Sequence, residues 1–581
     1  MKTIYRCLNV LAVFVACAAA SAQNLDPTVV VDRAYEGKLV EVHKPALEMS
    51  VPDTVMRFEL DFDYSVFDNP FKGSYEFNPY LLSMKPSVAT DKAGIFYLRA
   101  GAGYQLRPEL DLIWSPKMKN DAFRLDVYAH HRSFFGDYYL MNAAEDPHVD
   151  LIKVIDDVYM SAKGGFMSSK AGVNLGYDWE KSALDFNAGY YGVQRFMSGD
   201  AARNYNAFDA DFTIKTRDGM NDMGLTYLLN ASYRLAADNS IGTFENKYRL
   251  NENNIEVNAA IGTSREGSND FALDLQVDHD GYTGFKEGSA SIVSVTPHYI
   301  YDKGILHADL GLKIAKIMAD ETSGLFIFNA KDQIVYPDVK VRVDLIRDAL
   351  SLFAKVGGGS RIYSNADLLE RNIFLSLPEY GRDDLRLNFG SDMGIGIERI
   401  SARAGFEGRF GSKFSWNIHT GYSDHASAIV DAANPYVHLS GVDYAAYSAW
   451  DSSFEWSWKS DSFSADGLVT YCNAWGDAFS AESSSDNFKP AAFTGDVSFE
   501  YNYNRRIYAG VDCAFSSERV SERGRFVMPG YADLGVSAEY VTSRAISFWV
   551  RGGNLLGMTI QRNPIYAVKG PYFTLGICLK L

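Results

Sequence analysis

Apolar residues occupy every second position at the carboxyl end of the chain. Within residues 572–581, the side chains of Phe573, Leu575, Ile577, Leu579 and Leu581 are apolar, and Thr, Gly, Cys and Lys lie between them. The same period of two recurs at 532–540 and 546–551. Such alternation is typical of β-strands with one apolar and one polar face. The apolar face must contact either a second sheet or lipid.

The alternation extends back to residue 95, in stretches separated by clusters of Gly, Asn, Asp and Ser. A long series of such stretches is the signature of a transmembrane barrel. We therefore predict an all-β protein, a transmembrane antiparallel β-barrel of about 22 strands over residues 57–581, with its first strand at 57–66. The clearest later strands are predicted at 123–128, 170–179, 183–193, 226–236, 255–263, 271–277, 308–314, 339–345, 351–357, 414–422, 454–458, 463–471, 493–503 and 507–515.

Long polar stretches interrupt this pattern and are predicted to be connections. They cover residues 137–165, 361–390 and 423–443, and the second of them contains a pattern that favours a short helix. Asp218-Gly219 and Asp280-Gly281 predict tight hairpin turns. The triplet 357–359, Gly-Gly-Gly, predicts a bend in a strand. Residues 67–92 contain three prolines and are predicted to be a loop or a segment inside the lumen.

Large aromatic residues on the apolar faces favour lipid as the contact. Tyr and Trp near strand ends are typical of the aromatic girdles of membrane barrels. The opposite faces carry Asp496, Ser498, Glu500 and Asn502 on one strand, which suits a hydrated lumen. The alternative is a secreted protein of several β-sandwiches or a β-solenoid, but no linker or shift in composition divides residues 95–581. The aromatic faces are Phe414, Trp416 and Tyr422; Phe454, Trp456 and Trp458; and Phe493, Phe499, Tyr501 and Tyr503.

The amino terminus predicts export. Lys2 and Arg6 precede an apolar stretch, and Ala-Ser-Ala at 20–22 is a small-residue cleavage site, so residues 1–22 are predicted to be a signal peptide. Lipid attachment at Cys17 is the alternative interpretation. The exported chain keeps Cys472, Cys513 and Cys578, an odd and widely spaced set that supports neither a disulfide framework nor a zinc site.

Charge and composition narrow the class of partner. The formal net charge is −17, and the chain has no basic patch, so nucleic acid is excluded as a partner. The excess of acidic over basic residues is consistent with a polar lumen and attracts cations to the protein. Aromatic residues make up 14% of the chain and Gly is abundant, which supports many strands and tight turns.

The last strands resemble the closing strands of TonB-dependent outer-membrane receptors of the Bacteroidetes type. The matching motifs are Gly-Tyr-Ala-Asp-Leu at 530–534, Ser-Phe-Trp-Val-Arg at 547–551, Asn-Leu-Leu at 554–556 and the terminal strand. The resemblance implies a barrel in the outer membrane of a Gram-negative cell that takes up a small solute. Receptors of this family carry a plug domain inside the barrel. The stretch between Gln23 and Ile95 is too short for it, so we expect the plug to be absent or reduced.

Residues 23–56 are predicted to be an extended periplasmic leader. Its segment 26–31, Asp-Pro-Thr-Val-Val-Val, resembles the box with which such receptors bind a periplasmic TonB-type protein. An exposed extended segment of this kind can pair with an edge strand of its partner. The alternative is an apolar leader that packs under the barrel or binds another periplasmic protein.

Candidate catalytic and ligand-binding residues are few. His130, His131, His419 and the Asp424-His425 pair near Ser423 and Ser427 do not form a recognisable set of nucleophile, base and orienting group. Asp278-His279-Asp280-Gly281 lacks the spacing of a calcium loop. We therefore predict no enzyme, no cofactor and no metal. Asp496, Glu500, Asp533, Glu539, Trp549 and Arg551 are inward candidates for solute contacts, but solvation of the lumen explains them equally, and no binding site is assigned.

Two functions remain open after these exclusions. The first is outer-membrane transport, through a receptor-like or porin-like barrel whose partners are outer-membrane lipid, an unknown small solute and a periplasmic TonB-type protein. The alternative is a non-transporting structural or assembly subunit that docks surface lipoproteins.

Overall fold

The computed structural model describes most of the chain from residue 95 onward. The predicted signal peptide, the leader, the strand at 57–66 and the segment 67–92 all lie outside the described residues. Among the described residues, no helix is both long and apolar enough to cross a membrane. The described ranges are 95–141, 159–197, 202–217, 224–241, 247–263, 270–284, 287–319, 335–347, 349–375, 393–434, 439–479, 487–521 and 526–581.

Strands dominate these residues, and 22 long ones form a single closed barrel. Three further strands, β20, β21 and β24, have two residues each. The strands are β1 (Phe96–Tyr104), β2 (Glu109–Trp114), β3 (Phe123–Met141), β4 (Tyr159–Asp178), β5 (Ser182–Met197), β6 (Ala202–Thr216), β7 (Leu225–Ile241), β8 (Lys247–Thr263), β9 (Asp270–Gly284), β10 (Gly288–Lys303), β11 (Leu306–Ala319), β12 (Val335–Ile346), β13 (Leu350–Tyr363), β14 (Gly394–Phe410), β15 (Phe414–Asn434), β16 (Leu439–Lys459), β17 (Phe463–Trp475), β18 (Phe493–Tyr503), β19 (Ile507–Ser516), β20 (Arg519–Val520), β21 (Val527–Met528), β22 (Tyr531–Val541), β23 (Ile546–Gly553), β24 (Tyr566–Ala567) and β25 (Tyr572–Lys580).

Each long strand pairs antiparallel with the long strands before and after it in the chain. The last strand, β25, pairs with β23 on one side and with β1 on the other, in a register that sets Leu579 opposite Leu98 and Phe573 opposite Tyr104. This seam closes the sheet and leaves no edge. The predictions of about 22 strands and of a terminal closing strand are confirmed, and the alternative of several sandwiches is wrong.

The outer and inner faces of the barrel differ as predicted. Along β18 the outward Phe493 and Tyr503 are 51% and 54% exposed, whereas the inward Asn502 is 8% exposed. Outward apolar side chains recur on nearly every strand, including Leu275, Leu310 and Phe454. An apolar exterior of this extent is stable against lipid but not against water.

The longest connections all lie at one end of the barrel. One end, which we call the turn end, has short connections such as 179–181, 304–305, 411–413 and 460–462. The other, the loop end, has long ones such as 142–158, 364–393, 476–492 and 554–571. The helix predicted within 361–390 is confirmed as α1 (Asn365–Arg371), and a 3-10 helix covers Asp477–Phe479. The glycine bend is confirmed as an irregularity of the β13–β14 register between Gly357 and Gly359.

Several predicted connections are wrong because polar strands extend beyond the lipid-facing band. Residues 423–443 belong mostly to β15 and β16, so that Asp424 and His425 lie in a strand rather than in a loop. Likewise β3 continues to Met141 and β4 begins at Tyr159. Residues 425–430 of β15 are all buried, so both faces of the strand are covered there and the apolar alternation is lost. The predicted turn at Asp280-Gly281 is also wrong, because both residues lie within β9.

Candidate functional site

Residues 364–375, which we call the lumen segment, connect the loop end of β13 to the interior of the barrel. Ser364 caps the helix α1: its hydroxyl accepts a hydrogen bond from the Asp367 backbone N–H (3.1 Å), and the Asp367 carboxylate accepts one from the Ser364 N–H (3.1 Å). This reciprocal capping box satisfies two amides at the start of a short helix. After the helix, the Asn372 side chain accepts from the Phe374 N–H (2.9 Å) and turns the chain across the lumen.

Apolar side chains of the lumen segment pack against several sides of the barrel wall. Leu368 and Leu375 join a cluster of residues from β8 through β16 that includes Ile395 and Ile429. A short segment that contacts opposing walls must cross the lumen. Its other apolar contacts include those of Ala366 and Leu369 with Tyr191 and Tyr205, and of Phe374 with Phe134, Tyr138, Phe166 and Tyr566.

A buried ion pair anchors the beginning of the lumen segment. Arg203 donates to the Asp238 carboxylate through Nε (3.0 Å) and Nη2 (2.7 Å), and Nη2 also donates to the Asn365 side-chain oxygen (2.9 Å). The Asn365 side chain donates in turn to Asp238 (3.3 Å), and its backbone N–H donates to the Tyr282 hydroxyl (3.2 Å). Arg203 and Asp238 are almost completely buried, so their pairing is required for both charges to be tolerated.

The end of the lumen segment lies against β16. The Asn372 side-chain amide donates to the Ser440 hydroxyl (2.9 Å), and Leu375 forms a parallel bridge with Ser440. The Leu375 carbonyl also accepts from two guanidinium groups, those of Arg203 (2.9 Å) and Arg195 (3.5 Å). The segment is therefore fixed by polar contacts at both of its ends.

A third anchor joins the lumen segment to an outer loop. Asp431, near the loop end of β15, accepts hydrogen bonds from Arg371 Nε (3.3 Å) and Nη2 (3.0 Å) through one oxygen and from Arg519 Nη2 (2.8 Å) through the other. Burial alone would lower the pKa of the Arg371 guanidinium, but the Asp431 carboxylate outweighs this effect and raises it. Arg519 belongs to the connection between β19 and β22. We call these three residues the Asp431 clamp.

The inward candidates predicted from the sequence lie elsewhere on the lumen wall. Asp533 accepts from the Asn554 N–H (2.9 Å) and from Arg562 (2.6 Å), and Glu539 accepts from the Ser547 hydroxyl (2.5 Å). Trp549 points inward but is only 3% exposed, because the Arg99 guanidinium covers it at 4.2 Å. It therefore offers no free surface on which a solute could stack.

The histidines named in the sequence analysis contact nearby polar side chains. His130 contacts Asp111 (2.9 Å), and the two ring nitrogens of His131 contact Ser169 (2.8 Å) and Ser133 (3.1 Å) on the outward face. His425 contacts Ser423 (3.1 Å). Within the described ranges, no three His, Cys, Asp or Glu residues are placed to hold a metal ion.

The chain matches no protein-family model, and no curated protein sequence matches it. Its structure, by contrast, is similar to several solved receptors. It matches the siderophore receptor PirA from Pseudomonas aeruginosa with a TM-score of 0.53 at 11% identity, over 84% of this chain and 80% of that one. The barrel has the fold of outer-membrane receptors. The resemblance of the terminal strands to TonB-dependent receptors is thus confirmed at the level of the fold.

Two further structures support the same comparison. The ferric enterobactin receptor PfeA from Pseudomonas aeruginosa matches with a TM-score of 0.59 at 10% identity, over 84% of this chain and 82% of that one. The FrpB iron transporter from Neisseria meningitidis matches with a TM-score of 0.58 at 11% identity, over 84% and 82%. At these identities the likeness concerns the path of the backbone, and the side chains of the lumen must be interpreted on their own.

The residues that fill the lumen were not singled out from the sequence. The pattern predicted the helix in 361–390 but not its position inside the barrel. Arg203 and Asp238 lie on β6 and β7 but outside the strands predicted at 183–193 and 226–236, and Arg371 and Arg519 lie in connections. One signal was available: arginine on the inward face of a strand, as at positions 195 and 203, indicates a buried polar contact rather than lipid.

Proposed function

We propose that this protein is an outer-membrane transport barrel for a small solute, and that the lumen segment is its gate. The observation that carries the proposal is the combination of a closed 22-strand wall with a short segment that, among the residues described, crosses the lumen. The wall provides a path through lipid, and the segment occupies that path at the loop end. Both elements belong to one chain, and movement of the segment would open the path that it occupies.

The contacts of the lumen segment suit reversible movement. Its helix has seven residues, too few to be stable alone in water, so it holds its shape through contacts with the wall. Those contacts include hydrogen bonds and ion pairs that water can replace, such as Lys170 with Glu370 (2.8 Å) on the solvated side. Movement of the segment therefore costs a limited number of contacts and leaves the barrel ladder intact.

One observation favours the alternative, a non-transporting structural subunit. Ala366, Leu368 and Leu375 are completely or almost completely buried, and the three apolar clusters around the segment resemble the core of a static domain. Displacing them exposes apolar surface to the lumen. The two functions differ in a single measurable property, the ability of the segment to leave its position.

Single-channel recording in planar bilayers tests the proposal. We expect brief, rare openings of the wild-type barrel and sustained conductance when residues 364–375 are replaced by a Gly-Ser linker. A Leu375→Cys, Ser440→Cys disulfide, formed at the parallel bridge, should abolish the openings until it is reduced. The matched control is Asn230→Cys, Asn258→Cys, which joins two directly opposed inward residues of β7 and β8 away from the segment.

Three outcomes separate the hypotheses. Sustained conductance of the wild type, unaffected by the disulfide, identifies an open pore and contradicts the gate. Silence of both the wild type and the linker variant, together with stoichiometric co-purification of envelope proteins, supports the structural subunit. Openings that only the Leu375–Ser440 disulfide removes support a gated transporter.

The predicted leader adds a second part to this proposal. Residues 23–56, and 26–31 within them, are proposed to bind a periplasmic TonB-type protein by pairing with its edge strand. Deletion of residues 24–32 should then lower solute uptake by cells without changing the amount of barrel in the outer membrane. Unchanged uptake would exclude energy coupling through this segment.

A further inference from the structure

Arg195 and Arg203 lie directly opposite each other on the inward faces of β5 and β6. Both are buried, at 5% and 2% exposure. Side chains in such cross-strand positions are neighbours, and like charges there repel. Burial strengthens the repulsion because little water remains to screen it. An arrangement of this kind is stable only with negative charge nearby.

Among the described residues, Asp238 is the carboxylate that contacts this arginine pair. Asp238 neutralises Arg203, whose Nε and Nη2 it binds. Among the described residues, no carboxylate forms an ion pair with Arg195, and its Nε has no hydrogen-bond partner. Its one hydrogen bond, to the Leu375 carbonyl, is long at 3.5 Å. In the part of the chain that the structure describes, the site thus holds two guanidinium groups, the Asp238 carboxylate and the neutral Leu375 carbonyl.

We propose that Arg195 and Arg203 form an oxyanion site in which a carboxylate, sulfate or phosphate group of the solute replaces the Leu375 carbonyl. The ligand would bind the free Nε edge of Arg195 and the Nη1 of Arg203, which now donates to that carbonyl. A charged oxyanion accepts stronger hydrogen bonds from guanidinium groups than a peptide carbonyl does.

The position of this site links ligand binding to the gate. Leu375 is the last described residue of the lumen segment, and its carbonyl holds that end to β5 and β6. An anion that binds both guanidinium groups replaces these two hydrogen bonds, and the contacts of Asn372 and Leu375 with Ser440 remain. The inference rests on the proposed function for the role of the solute, but the site itself depends only on the uncompensated charge of Arg195.

Thermal unfolding of the purified full-length barrel in detergent tests the site without any transport measurement. In anion-poor buffer we expect Arg195→Gln to unfold at or above the wild-type temperature, because it removes an unpaired buried charge. Arg203→Gln should unfold well below it, because Asp238 is left without its partner. If Arg195→Gln is destabilised as strongly as Arg203→Gln, a carboxylate of the chain already neutralises Arg195 and the proposal is wrong.

Inorganic phosphate is the ligand probe, with chloride at equal ionic strength as the reference. We expect a saturable rise of the wild-type unfolding temperature, which Arg195→Gln loses. The matched control is the double variant Arg234→Gln, Asp209→Asn, which removes an inward guanidinium together with its carboxylate partner. Phosphate should still raise the unfolding temperature of this variant. An equal or unsaturable rise in Arg195→Gln, or no rise in the wild type, would show that phosphate has no specific site here.

The reversible disulfide separates the site from the gate. If the anion displaces the Leu375 carbonyl, the oxidised Leu375→Cys, Ser440→Cys variant should need at least tenfold more phosphate for half-saturation than its reduced form, and equal values contradict the displacement. Phosphate binding by a barrel that is silent in bilayers would refute transport and leave the anion site intact.

Discussion

The Asp431 clamp should control how tightly the lumen segment is held. Asp431→Asn keeps the volume of the side chain but removes the charge that Arg371 and Arg519 share. All three side chains are mostly buried, with 14% exposure for Asp431, 20% for Arg371 and 14% for Arg519. Loss of one partner of a buried ion pair costs about 3–5 kcal/mol. Partial exposure and the remaining amide oxygen place the expected loss near the lower limit, at about 3 kcal/mol.

A loss of this size changes the population of the displaced segment about a hundredfold, since roughly 1.4 kcal/mol corresponds to a factor of ten. The reporter is a cysteine at Ala366, which is completely buried in the docked segment, introduced after Cys472, Cys513 and Cys578 have been replaced by Ala. Its rate of labelling by a water-soluble maleimide is proportional to the displaced population when docking is fast. We expect that rate to rise about a hundredfold in Asp431→Asn.

The control for this experiment is Asp443→Asn. Asp443 lies on β16 near the same end of the barrel and accepts from the Asn487 side chain (3.0 Å), so it contacts an outer loop but no residue of the segment. The Asp443→Asn substitution should leave the labelling rate within a factor of two of the rate in the reporter protein without it. Equal rates in Asp431→Asn and Asp443→Asn would refute the view that the clamp holds the segment.

Three further predictions concern the cap, the lipid-facing surface and the seam. Ser364→Ala removes the capping box, and the cost of about 1 kcal/mol should raise labelling of the same reporter about fivefold. Leu275→Arg places a charge on the lipid face and should destabilise the barrel in lipid vesicles by about 2–4 kcal/mol in urea titrations, whereas the inward Asn258→Lys should have little effect. At the seam, a side chain at Gly576 would meet the β1 backbone, so Gly576→Ala should cost about 1–3 kcal/mol and reduce the heat-modifiable folded form on gels, and Gly357→Ala, in open space, should not.

The wall of the barrel was predictable because lipid imposes a strict rule on every strand. Each residue that faces lipid must be apolar and its neighbour is free to be polar, as Phe493 and Thr494 illustrate on β18. The rule ends where the strand leaves the lipid. The loop-end part of β15 contacts the segment or the outer loops instead, and through Asp431 it uses a charge for an internal contact. Local sequence alone could not distinguish it from a polar loop.

The contents of the lumen were not predictable for a different reason. Helix α1 could be recognised from its own residues, but its position depends on partners far away in the chain. Arg203 is separated from Leu375 by 172 residues, and Lys170 from Glu370 by 200. Neither pair leaves a periodic signal. The wall is encoded by neighbours in sequence, whereas the position of the lumen segment is encoded by contacts that exist only once the wall has closed.

The lumen segment is covalently attached to the barrel wall, through β13 before it and β14 after it. Under the proposed function, reclosure would therefore be an intramolecular event whose rate does not depend on the concentration of any partner in the periplasm. The two attachment points also limit how far the segment can travel, because it must remain on the side of the barrel where those two strands end. Under the proposed function, displacement of the segment would withdraw Phe374 and Leu369 from the part of the wall that β3, β4 and β5 form.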